Sequence, residues 1–318
     1  MNRTIKDYFI LILKGMGMGA ADVVPGVSGG TIAFITGIYE ELINSIKSIN
    51  LNAIKLFFSG KFTEFWKAIN GTFLISVLLG IGISVFSLAK GLKFLLDNYP
   101  ILVWSFFFGL IIASAIYVAR TIEKWNSGTI IAGIAGIIIA YFITVITPAE
   151  ANTTYWFIFL SGSIAICAMI LPGISGSFIL VLLGMYKFIL EAVGNMEIAV
   201  IATFLVGAAI GIVAFSNVLS WLLKKFHNLT IAVLAGFMVG SLNKVWPWKE
   251  VTATFIDRHG EIKPLAERNI LPGSYKQITE NEAWLLGAVA MAIVGFALIF
   301  IIEGVSKKVN NRSKTKLK

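Results

Sequence analysis

Long apolar runs alternate with short polar breaks along most of the chain, and the run lengths predict the architecture. Stretches at about 71–89, 101–119, 129–147, 198–223, 229–245 and 284–302 are each close to the roughly 20 residues that a helix needs to cross a bilayer. Two further stretches, about 5–38 and 155–190, are longer, and Pro-Gly interrupts each near its middle. They read as pairs of half-membrane helices forming re-entrant hairpins. Residues 41–70 place Ile43, Ile46, Ile49, Ile54 and Phe57 on one side and Lys47, Lys55, Lys61 and Lys67 elsewhere. That is the pattern of an amphipathic helix lying on a membrane surface. Residues 246–282 form a sizeable hydrophilic loop.

The chain also repeats itself. LKGMGMGAADVVPGVSGGTIAFITGIYE (13–40) laid over LSGSIAICAMILPGISGSFILVLLGMYK (160–187) is identical at 10 of 28 positions. The matches include Pro25/Pro172, Gly26/Gly173, Ser28/Ser175, Gly29/Gly176, Gly37/Gly184 and Tyr39/Tyr186, which shared apolarity does not explain. Further on, GISVFS (82–87) matches GIVAFS (211–216), and Ser114 has a counterpart in Ser241. Three full spans separate the motifs, and an odd number places them in opposite orientations. The expectation is an all-α integral membrane protein with about six transmembrane helices and two re-entrant broken-helix hairpins in an internal inverted repeat. Its parts are a first repeat (1–125), a linking span (126–150), a second, inverted repeat (151–245), an extracytoplasmic hydrophilic loop (246–282), and a last span with a basic cytoplasmic tail (283–318). Inverted repeats with broken helices are the architecture of secondary transporters.

Composition sharpens this picture. Charged residues make up 14% and hydrophobic ones 57%, against about 25% charged in an average soluble domain. The formal charge of +9 reads as orientation, because Lys and Arg accumulate on cytoplasmic loops. With the N-terminus cytoplasmic, 17 of the 26 Lys and Arg fall inside, although Lys90 and Lys93 fall outside. No basic and aromatic module supports nucleic-acid binding. The start, MNRTIKDYFILILKGMGMGAAD, has the charge and apolarity of a signal peptide but no clear small-residue cleavage site, so it is read as structure. Cys167 is the only cysteine, which excludes intrachain disulfides and thiolate metal sites and leaves it a packing role. His227 and His259 have no partners at ligand spacing, so neither metal nor His-based catalysis is expected. LPGSY (271–275) imitates the motif in a charged loop and reads as a turn.

Non-helical backbone at membrane depth is tolerated only when buried in protein or lining a wet cavity. In each motif Pro ends one half-helix, glycines let the backbone turn, and Ser28 or Ser175 is placed to cap the next half-helix. The amides that begin that half-helix form an anion site, suited above all to phosphate. Kinks for close packing are the plainer reading of one such motif; a matched inverted pair favours the anion site. Asp22, at membrane depth three residues before Pro25, is read as an ion ligand, a proton carrier, a partner of a basic residue or a cap of the broken helix. Lys14 and Arg120 are charge candidates for the phosphate, Arg120 also for interfacial snorkelling. Glu40 and Glu41 are expected at the interface.

The two motifs, ADVVPGVSGGTIAFITGIYE and LPGISGSFILVLLGMY, resemble the paired signature of the polyprenyl-phosphate transporter family, whose members include bacterial undecaprenyl-phosphate translocases. The resemblance runs from about residue 5 to 303. It implies a multi-pass protein of the bacterial cytoplasmic membrane. Such a protein returns the lipid carrier from the outer to the inner leaflet, for reuse in peptidoglycan and other envelope polymers. By that resemblance Pro25, Gly26, Ser28, Gly29, Gly30, Pro172, Gly173, Ser175, Gly176 and Ser177 line the head-group site. Thr31, next to Gly30, is counted with the phosphate-binding residues, and Asp22, Lys14, Glu40 and Arg120, read from their positions, are the coupling or charge candidates. Met169 stands where the first motif has Asp22, so the site is asymmetric. No cofactor is expected beyond a coupling proton or ion gradient, and the partners are polyprenyl phosphate, membrane lipids and, as an open question, a second copy. A transporter of a small soluble anion and a non-transporting envelope scaffold are the rival readings. An enzyme acting on lipid pyrophosphate would need a His, Arg and Asp cluster that is not apparent here.

Overall fold

Capping and turn residues cut the apolar runs into helices at defined points. The computed structural model describes residues 3–24, 27–146, 149, 151–256 and 262–315. Helix α1 (Ile5–Val23) starts at Thr4, whose hydroxyl accepts from the Asp7 N–H while the Asp7 carboxylate accepts from the Thr4 N–H at 2.7 Å, a capping box. The first half continues through α2 (Gly29–Ile35), α3 (Tyr39–Lys47), α4 (Leu51–Phe58), α5 (Phe62–Ala68), α6 (Gly71–Asn98), α7 (Pro100–Ala119) and α8 (Ser127–Val145). The second half comprises α9 (Tyr155–Ile170), α10 (Gly176–Leu182), α11 (Tyr186–Gly194), α12 (Ile198–Lys225) and α13 (His227–Ser241). An antiparallel pair, β1 (Lys249–Ile256) and β2 (Ile262–Asn269), follows, then α14 (Pro272–Thr279) and α15 (Leu285–Thr315).

This is an all-α integral membrane protein carrying one small hairpin of strands among the described residues. By length and composition α6, α7, α8 and α12 suffice to cross a bilayer, while α13 and the apolar Leu285–Ile301 part of α15 are shorter.

Close helix packing repeats residue by residue. Gly15 brings α1 against the Val77 carbonyl of α6, and Gly162 brings α9 against the Phe204 carbonyl of α12; a Cβ at either would collide with backbone. Gly80 meets the Ile12 carbonyl just as Gly207 meets that of Phe159. The same holds further along: Gly109 and Gly295 seat α15 on α7, and Gly236 and Gly136 seat α8 on α13. Small residues that let backbones approach are how membrane helices gain contact without a hydrophobic driving force. Residues 77 and 80 therefore correspond to 204 and 207, a register that keeps Ser114 opposite Ser241 but places Ser84, not Gly82, at the position of Gly211. The GISVFS/GIVAFS alignment is thus corrected by a slide of two residues, since apolar helix sequence gives little to fix register. Helix α8 stands to α13 as α15 stands to α7. The two helices are thus equivalent in their packing, each seated on a helix of the other half of the chain.

Contacts at the helix ends show which ends share a side. Near the N-terminus, both guanidinium nitrogens of Arg3 donate to Glu41, at 2.7 and 2.5 Å; Glu40 meets His227 at 3.3 Å, and Ser220 donates to Asn44 at 2.9 Å. At the other end the Ala149 N–H donates to the Leu182 carbonyl at 2.8 Å, and Ile101, Trp248, Tyr275 and Ala288 form one buried cluster. The α1–α2 hairpin opens toward the first side and α9–α10 toward the second.

Both half-helices end alike. Gly37 and Gly184 take φ of 72° and 68°, with Ile38 N–H on the Ala33 carbonyl at 3.0 Å and Met185 N–H on the Leu180 carbonyl at 2.8 Å. This is a Schellman cap, which needs a residue that tolerates the left-handed region. It turns the chain through 109° between α10 and α11.

Two expectations need correction. The surface helix of 41–70 is three helices, because the Asn50 side chain caps a new start at Asn52 and Ala53 and Gly60 (φ 74°) ends α4. LPGSY starts α14, with Pro272 in the first turn, where its missing N–H costs nothing, and with Tyr275 buried.

Candidate functional site

The two interrupted helices meet tip to tip. Ser28, fully buried, donates from its hydroxyl to the Met169 carbonyl at 2.9 Å, and the Gly173 N–H donates to Thr31 Oγ1 at 3.1 Å. Each bond joins one motif to the other. Gly30 lies so close to the Ile170 carbonyl that a Cβ would overlap it, and Gly173, at φ 87°, lies against the Phe237–Met238 backbone of α13. At these two glycines the junction lies directly against the backbone of α9 and α13.

The two tips are finished differently. At the start of α2 the Gly29 N–H donates to Asp22 Oδ1 at 2.7 Å, the Gly30 N–H to Ser28 Oγ at 3.0 Å, and the Thr31 N–H to the Ser28 carbonyl at 3.0 Å. The protein's own carboxyl group therefore occupies the anion position of the first tip. At the start of α10 no side chain among the described residues caps the amides. Ser175 is instead turned onto Ser177, hydroxyl to hydroxyl at 2.8 Å, and Met169 supplies no carboxylate. Beside this tip is a cleft of about 10 Å³ lined by Gly173, Ser175, Phe178, Ser241, Thr144 and Lys244, room for a single water.

Of the predicted residues, Ser28, Gly29, Gly30, Thr31, Pro172, Gly173, Ser175, Gly176 and Ser177 fall at these tips, with Asp22 among them. Pro25 and Gly26 lie outside the described residues. Lys14 does not join them: its Nζ donates to the Thr36 carbonyl at 2.6 Å, holding the far end of α2, where a cation offsets the helix dipole. Arg120 is exposed at the end of α7 with its guanidinium 5.4 Å from the centre of the Phe300 ring, and Glu40 pairs with His227 on the surface. Neither reaches the tips, because both lie at the N-terminal end of the bundle. Glu41 is stitched into the same end by Arg3 and Asn70; partial burial would raise its carboxyl, but these hydrogen bonds outweigh that and hold it below the ordinary carboxylate range.

Sequence reasoning missed two features. One is the Met169 carbonyl, a backbone group without a residue signature. The other is a charged trio, Lys244, Lys249 and Glu267, at the second side. Burial presses the Lys249 ammonium down to about 8 against the pull of Glu267. Burial likewise raises the Glu267 carboxyl, but the two lysines outweigh it and hold that group below its usual range.

Oppositely opening broken hairpins joined at their tips, inside a bundle of membrane-crossing helices, define an integral membrane protein of the transporter type. The model of the family described as VCA0040-like, Undecaprenyl phosphate translocase-like, matches residues 18–263. A polyprenyl-phosphate transporter of Vibrio cholerae serotype O1 is 46% identical over 303 residues, covering 95% of this chain and 98% of that protein. Another, from Staphylococcus aureus, is 34% identical over 200 residues, covering 59% of this chain and 66% of its own length. No solved structure matches the chain. The chain belongs to the undecaprenyl phosphate translocase-like family.

Proposed function

We propose that this protein carries polyprenyl phosphate across the bacterial cytoplasmic membrane, from the outer to the inner leaflet, with the phosphate passing between the two tips while the tail stays in lipid. The observation that carries this reading is the joined pair of amide-bearing tips. One opens to each side, so a head group moving from the α10 tip to the α2 tip changes leaflet. The Lys and Arg bias supports a cytoplasmic N-terminal side, with the second motif facing outward. The relatives' transport of polyprenyl phosphate supports the substrate.

Asp22 gives the cycle its step. Its carboxylate sits on the Gly29 N–H, where an incoming phosphate oxygen would accept. A phosphate arriving beside an ionised Asp22 is repelled, whereas a protonated Asp22 gives up the amide and leaves one charge fewer in a low-dielectric site. Uptake of a proton at Asp22 is thereby coupled to phosphate transfer, and no bond in the substrate is broken. The test is leaflet-resolved transport of labelled undecaprenyl phosphate in liposomes holding the purified protein. Transport in the wild type and its loss in Ser28→Ala and Ser175→Ala support the reading; liposomes in which the wild type moves no more lipid than protein-free vesicles overturn it.

A further inference from the structure

The trio at the second side has a charge left over. Lys244, just beyond α13, and Lys249, opening β1, hold the same Glu267 carboxylate at 3.3 and 3.4 Å. Among the described residues, two ammonium groups against one carboxylate leave one positive charge uncancelled, and the Lys249 side chain is only 7% exposed. Buried charge without a partner is costly, so an excess of this kind is a seat for an anion. Aromatic faces supply part of the missing partner: the Lys249 Nζ is 4.0 Å from the centre of the Trp104 ring and the Lys244 Nζ is 4.7 Å from that of Phe178. The trio is also held in place. Asn269 of β2 donates to the Asn243 carbonyl at 2.7 Å, and Asn243 donates to Thr144 at 2.7 Å, so the strand pair is fastened to the ends of α13 and α8. Lys244 lines the same small cleft as Ser175, with Phe178 beside it.

We propose that Lys244 and Lys249 form a receiving site for a phosphate monoester, from which the head group passes Phe178 into the Ser175–Ser177 turn. With one N–H of each ammonium on Glu267, four donors remain for the three terminal oxygens of a phosphate, and a phosphate monoanion cancels the surplus that Glu267 leaves. Glu267 keeps the lysines in place between turnovers and competes with the incoming anion, as Asp22 does at the other tip. This inference rests on the polyprenyl-phosphate reading and adds to it the place where the head group first binds.

The experiment measures binding of a fluorescent polyprenyl monophosphate to the full-length protein in nanodiscs, with inorganic phosphate as competitor. Lys244→Gln, at a partly exposed position, is expected to weaken binding about tenfold or more, the order for one charge-assisted hydrogen bond. Glu267→Gln removes the competitor and is expected to tighten binding. Inorganic phosphate is expected to displace the probe from the wild type at lower concentration than from Lys244→Gln. Wild-type binding together with unchanged affinity in both variants overturns the receiving site and leaves the transport reading standing. Failure of the wild type to bind the lipid at all overturns the transport reading itself.

Discussion

Replacing Thr31 by valine removes one acceptor and almost no volume. Thr31 is fully buried, and its Oγ1 accepts the Gly173 N–H at 3.1 Å across the junction. Valine keeps the shape, so the loss is a donor stranded away from water, worth about 1–3 kcal/mol. Gly173 cannot turn aside to find another acceptor, because its φ of 87° and its contact with the Met238 backbone fix it. Ser28 adds a second bond across the same seam, and Ser28→Ala also removes an N-cap, worth about 1 kcal/mol. The assay is thermal unfolding in detergent micelles followed by tryptophan fluorescence, run on Thr31→Val, Ser28→Ala and the double variant. Each single change is expected to lower Tm, and the double to show a coupling energy of about 0.5–3 kcal/mol, because both bonds close one interface. Thr31→Ser, which keeps the acceptor, is expected to fall between wild type and valine. A Thr31→Val protein as stable as wild type, or two strictly additive substitutions, would refute the reasoning.

Other expectations follow from the same contacts. Asp22→Asn can still accept the Gly29 N–H but has no carboxyl to titrate, so its transport is expected to lose the pH dependence of the wild type, measured in liposomes at several external pH values. Gly184→Ala and Gly37→Ala force a side chain into the left-handed region and are each expected to cost about 1–2 kcal/mol in thermal unfolding. Glu41 has a depressed carboxyl in the folded protein, so its contribution is present above the unfolded carboxylate value near about 4.3 and is lost as pH falls through the lower folded value. Because the Arg3–Glu41 pair is partly exposed, that contribution is expected to stay below about 1 kcal/mol; Glu41→Gln should remove this acid-dependent part of the Tm profile.

The sequence showed the two tips and their inverse relation because Pro, Gly and Ser stand out against an apolar background. Gly37 and Gly184 were legible for the same reason, and they finish both half-helices in one way. The equivalence of α8 and α15 was not. What makes these helices alike is where Gly136 and Gly295 touch their neighbours, and a glycine in an apolar run says nothing of its partner. The role of Asp22 as occupant of the amide seat was half legible: its depth marked it, but only the fold brings its carboxylate onto Gly29. Lys14, midway along an apolar helix, looked like a phosphate partner; the antiparallel run of α1 and α2 carries it to the wrong end. Lys244 and Lys249, at the junction of a span and the hydrophilic loop, carried no signal of their own, since Glu267 reaches them only through the strand pair.

The central claim is that a phosphate head group passes through the junction of the two tips. A polyprenyl phosphate analogue carrying a photoreactive group next to its phosphate, cross-linked to the protein in liposomes and mapped by peptide mass spectrometry, tests it most directly. The account predicts labelling concentrated in residues 22–31 and 169–178, suppressed by excess unlabelled lipid. Labelling spread over the lipid-facing helices, with neither tip marked, would contradict it.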